Sequence, residues 1–95
     1  MENKIMQLAE RNGIAGVFRH TIQEASELIQ AITKFEENFD YTDLENLLGE
    51  VADIEVMLAQ LEYVLHHKIH SESIQRISRY REQKIDRQIT RFGLK

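Results

Sequence analysis

Apolar residues recur along this chain at intervals of three and four, the spacing that lines one face of an α-helix. Between Val17 and Glu37 the series is Ile22, Ala25, Leu28, Ile29, Ile32 and Phe35. A second series, Leu44, Leu47, Leu48, Val51, Ile54, Leu58, Leu61 and Leu65, is denser in leucine. A third, Ile74, Ile77, Ile85, Ile89 and Phe92, forms a narrower stripe. The pattern predicts a short N-terminal helix over about 2–12 and main helices over about 17–37, 42–67 and 71–92. Gly13 and Gly16 mark a break after the first, and Asn38-Phe39-Asp40-Tyr41 reads as a loop. Thr42-Asp43-Leu44-Glu45 has the form of a capping box, and Ser71-Glu72 is a plausible cap for the last helix. Proline is absent and glycine occurs only four times, so little interrupts long helices. No alternating pattern, repeat or low-complexity tract stands out. The expectation is one all-α domain over 1–95, an antiparallel helical bundle.

Length changes that picture in one respect. At 95 residues without cysteine, the chain has neither a large core nor a disulfide to compensate. Sharing a core between subunits is the remaining remedy, so the bundle is expected to be completed by oligomerisation, as a dimer or tetramer. No apolar run approaches the ~20 residues of a membrane span, and Met1–Glu10 has no secretory h-region. The expected setting is the cytoplasm, with no membrane partner.

The net charge of −4 hides an asymmetry: residues 1–71 carry 5 Lys/Arg against 13 Asp/Glu, and residues 72–95 carry 7 against 3. An acidic body with a basic tail suits metal binding in one region and phosphate contact in the other, or equally a set of ion-paired helix faces. The acidic total and the lack of a recognition motif argue against a nucleic-acid partner.

Two acidic doublets concentrate the chemistry, Glu24-x-x-Glu27 and Glu50-x-x-Asp53. A spacing of three puts both members of a doublet on one helix face. Glu50 falls inside the leucine-rich arc with Asp53 at its edge, while Glu24 and Glu27 flank the apolar arc of their own helix. Such doublets also occur as decoration on solvated faces. Two of them on adjacent helices, one intruding into an apolar arc, equally fit a cradle for Mg²⁺, which takes hard oxygen ligands and keeps phosphate oxygens in its shell.

The string Gln23-Glu24-Ala25-Ser26-Glu27-Leu28-Ile29-Gln30-Ala31, followed by Gly49-Glu50-Val51-Ala52-Asp53-Ile54-Glu55-Val56-Met57-Leu58, resembles the MazG-like members of the all-α NTP pyrophosphatase superfamily. Lys34-Phe35 and the ending Lys84-Ile85-Asp86-Arg87 are similar to features of its short, phage-type members. The resemblance spans roughly Val17 to Arg91. It implies that Glu24, Glu27, Glu50 and Asp53 are the metal-ligating and catalytic residues, with Mg²⁺ as cofactor and Mn²⁺ able to substitute. It further implies hydrolysis of a nucleoside triphosphate to monophosphate and pyrophosphate by a metal-activated water attacking the α-phosphate. Glu24 or Glu27 then orients or deprotonates that water. Lys34, Lys84 and Arg87 are candidate phosphate contacts, or else surface charges paired with nearby acids.

Other residues carry less. His66, His67 and His70 lie where a helix ends, a place that favours histidine without any metal. Glu55 points away from Glu50. Met57, Tyr41, Tyr63 and Tyr80 are expected in the core or at an interface. Arg76, Arg79 and Arg81 are expected to be solvated or paired between subunits. The alternative function is a catalytically silent helical dimerisation or adaptor module on the same fold.

Overall fold

The computed structural model describes residues 2–94; Met1 and Lys95, the two ends of the expected domain, lie outside the described residues. The fold is an all-α helical bundle. Helix α1 (Glu2–Asn38) and helix α2 (Tyr41–Val64) are followed by a π-helical turn, Leu65–Ile69, and helix α3 (Ser73–Arg91). No strand occurs among the described residues.

α1 breaks where the sequence indicates, but more sharply. Gly13 has φ 73° and ψ 171°, a conformation open to glycine and strained for residues with a side chain. Helical geometry resumes at Ile14, not at Val17, because one residue is enough for the kink. Gly16 lies within the resumed helix, where an added Cβ would stand 3.4 Å from Cβ of Asn12 across the bend.

The start of α2 also differs from expectation. Asp40, not Thr42, is the N-cap: its backbone is extended and its carboxylate accepts the Asp43 N–H at 2.9 Å. The helix begins at Tyr41, so Thr42 is already inside the first turn and cannot cap it. At the far end, α-helical bonding stops at Val64 and not His67, and the His70 N–H donates to the Leu65 carbonyl at 2.8 Å across a wider turn.

α3 opens two residues later than the 71–92 reading, and Glu72 gives it no side-chain cap. The preceding turn supplies the acceptors instead. Nδ1 of His66 accepts the Ile74 N–H at 3.2 Å, and Nδ1 of His70 accepts the Glu72 N–H at 3.3 Å. The Ser73 hydroxyl contacts the carbonyls of Leu65 and His70 at 3.2 and 2.8 Å. The histidines therefore serve the start of α3 more than the end of α2.

α1 and α2 form an antiparallel hairpin whose contacts run in opposite chain directions. Tyr63 OH donates to Glu10 Oε2 at 2.7 Å and Asn12 Nδ2 donates to Gln60 Oε1 at 2.9 Å, while Glu24 meets Glu50 further along. Ala9, Val17, Met57 and Val64 form the buried core, with Leu61 and Tyr63 against it. α3 adds little to that core and touches α2 and the π turn only sparingly. The radius of gyration is 16.1 Å, where a compact domain of this length has about 12 Å. The hairpin is packed; α3 stands away from it.

Candidate metal centre

Glu24, Glu27 and Glu50 converge across the hairpin. One carboxylate oxygen from each can be chosen so that all three lie within 4.8 Å of one another. The antiparallel register produces this arrangement: α1 offers two acids one turn apart, and α2 crosses with Glu50 turned inward by the same arc that carries its leucines.

All three residues are half-buried. Oε1 of Glu24 and Oε1 of Glu50 are buried and have no hydrogen-bond partner. Leaving a charged acceptor unsatisfied is costly, and three carboxylates at such separations also repel. The strain registers at Glu50, whose carboxyl is held above its ordinary range, first by loss of hydration and then by the charges of Glu27, Asp53 and Glu24. A divalent cation with a preference for hard oxygen ligands removes both costs at once, so the donor set fits such an ion.

Asp53 stands differently from its three companions. It is exposed and outside the converging trio, although its charge is felt at Glu50. Lys34, Lys84 and Arg87 are also exposed, and none forms an ion pair among the described residues. The structure therefore does not pair them with nearby acids, nor does it bring them to the carboxylates. Lys84 instead lines a groove of about 470 Å³ on α3 with Ile77, Tyr80, Ile85 and Ile89.

His66, His67 and His70 do not join a converging ligand group; two of them cap α3, and His67 stacks on Tyr63 with ring centres 4.4 Å apart. Met57 is in the core, Tyr63 borders it, Tyr41 is exposed, and Tyr80 accepts a 3.1 Å bond from Arg76.

The doublets alone do not point to His20. Its Nε2 lies 3.4 Å from Glu24 Oε2, one helical turn away on the same face. The i, i+4 spacing from Glu24 was the available signal. Asn12 and Gln60 were equally silent: their bond, and the 3.6 Å contact of Gln60 Nε2 with Met57 Sδ, give the hairpin a polar lock inside its apolar face.

Among the described residues, no helix is long and apolar enough to cross a membrane. No family model, no curated protein and no solved structure matches the chain.

Proposed function

We propose that the chain is a Mg²⁺-dependent nucleoside triphosphate pyrophosphohydrolase of the MazG-like kind, acting in the cytoplasm as a homo-oligomer. The observation that carries this reading is the pair of buried, partnerless carboxylate oxygens, one from each helix of the hairpin, inside a group of three glutamates. Those glutamates belong to the two doublets on which the family resemblance rests.

Glu24, Glu27 and Glu50 are the residues that hold the ion, and Asp53 serves the solvent side of the group one turn along α2. A bound Mg²⁺, or Mn²⁺ in its place, supplies charge neutralisation for the triphosphate and acidifies the attacking water. Water oxygen bonds to the α-phosphorus, the bond to the bridging oxygen of the β-phosphate breaks, and pyrophosphate leaves. A carboxylate, Glu24 or Glu27, orients the water and takes its proton. Lys34, Lys84 and Arg87 are assigned to the phosphates, and α3, held loosely by its own chain, carries the last two.

The test is pyrophosphate release from a panel of NTPs and dNTPs, with Mg²⁺ and with EDTA, for the wild type and Glu50→Gln. Metal-dependent release that falls on the order of a hundredfold or more in the variant is expected. Equal activity of the two proteins removes the site from the reaction. One observation favours an adaptor module instead, the exposed apolar stripe of α3. That reading leaves the two orphaned carboxylate oxygens without a purpose, and silence of the folded protein across the panel is the result that would put it first.

A further inference from the structure

We infer that His20 is a positioning residue for Glu24, holding one carboxylate oxygen so that the other is presented to a divalent cation. This rests on the metal reading above and adds to it a residue outside both acidic doublets. The two oxygens of Glu24 have unlike surroundings. Oε2 lies 3.4 Å from His20 Nε2, whereas Oε1 is buried with no partner. The Glu24 side chain is 12% exposed and that of His20 is 48% exposed, so the imidazole meets a largely buried carboxylate from a more solvent-exposed position.

The physical need for such a residue is clear from the group itself. The terminal torsion of a glutamate is broad and nearly two-fold, so a carboxylate without an outer partner samples many orientations. Three neighbouring carboxylates also gain by turning away from one another. A nitrogen beside Oε2 opposes both tendencies when it carries a proton, as it does in the charged imidazole and in the Nε2–H tautomer of the neutral one. Outer partners of metal-binding side chains act in this way, and removing one weakens metal binding by about ten- to a hundredfold.

The experiment is a Mn²⁺ titration of the full chain followed by electron paramagnetic resonance, with no nucleotide present. It compares the wild type, His20→Ala, His20→Gln and Glu50→Gln, each first shown to be folded by circular dichroism. The dissociation constant of His20→Ala should rise about tenfold or more, while His20→Gln, whose amide restores a nitrogen donor, should stay close to the wild type. Wild-type affinity in His20→Ala, with binding lost in Glu50→Gln, overturns the role of His20 and leaves the site standing. Equal loss in both His20 variants also overturns it, in favour of direct ligation by the imidazole. Absence of Mn²⁺ binding in the folded wild type defeats the metal reading itself, and the role of His20 with it.

Discussion

Glu50 carries an electrostatic cost that its own chain does not relieve. Its carboxyl is raised above the ordinary value in the folded protein by lost hydration and by Glu27, Asp53 and Glu24. Between the unfolded and the raised folded pKa, the native state binds more protons than the unfolded one. Stability accordingly falls as pH rises through that window. The penalty is absent below the unfolded carboxyl value and fully present above the folded one. Urea midpoints of the cation-free protein should therefore decline as pH rises from the ordinary carboxyl value of 4.5 toward neutrality, and Glu50→Gln should be the more stable protein at the upper end. Mg²⁺ should raise the midpoint of the wild type at neutral pH and leave the variant nearly unmoved. Parallel curves for the two proteins would refute the assigned strain. Spacing made the acids legible, since Glu50 already sat within a leucine arc on paper. It could not distinguish Asp53 from the other three, because which side of that arc is covered depends on the crossing of α1 and α2. The i, i+4 spacing puts His20 on the same face as Glu24, but their contact depends on Glu24 turning one oxygen toward it.

Helix ends are less legible in the sequence than helix bodies. A body is a sum of many periodic positions, whereas an end depends on the torsions of one or two residues. Thr42 and Asp40 are both good caps by type, and the extended backbone at Asp40 decides between them. Asp40→Ala should cost about 1 kcal/mol of stability, and Thr42→Ala much less; thermal or urea denaturation of the two variants gives the comparison. The N-terminal part of α1 offers a second test. Glu10 is held below its ordinary pKa, chiefly by the Tyr63 hydroxyl and then by Lys68, whose Nζ lies 3.0 Å away. A depressed folded pKa contributes stability above the unfolded value and loses it as pH falls through the folded one. Protection against hydrogen exchange in residues 3–12, referred to the intrinsic rate at each pH, should therefore fall on acidification, and Tyr63→Phe should lower it already at neutral pH. Unchanged protection in Tyr63→Phe would show that the burial of Ala9, the Asn12–Gln60 bond and the Lys68–Glu10 pair dock the segment without it.

At the scale of the whole molecule, much apolar surface is left uncovered within one chain. Among the described residues the largest fully buried side chains are only Val17 and Val64, while Ile22 is 71% exposed and Ile29 64%. Ile85 on α3 and Val51 and Leu58 on α2 are exposed as well. The amphipathic stripe of α3 predicted a buried face, but such a stripe does not say which surface covers it. Within one chain almost nothing does, hence the excess in radius of gyration. The homo-oligomer proposed above suits this surface by both charge and hydropathy. The segment carrying α3 has 7 basic residues against 3 acidic, and the remainder of the chain 5 against 13. A stable association buries roughly 800 Å² on each partner, an area that the exposed isoleucines, leucines and valines of the three helices are suited to supply. Light scattering after size exclusion should accordingly give at least twice the 11.2 kDa of one chain. Ile85→Lys, placing a charge in the α3 groove, should lower the assembled mass while circular dichroism stays helical. Moderate salt should weaken assembly only in part, since apolar burial persists when charges are screened. A monodisperse 11.2 kDa wild type would mean that the exposed stripe serves some other partner, and the adaptor reading would then gain what the assembly loses.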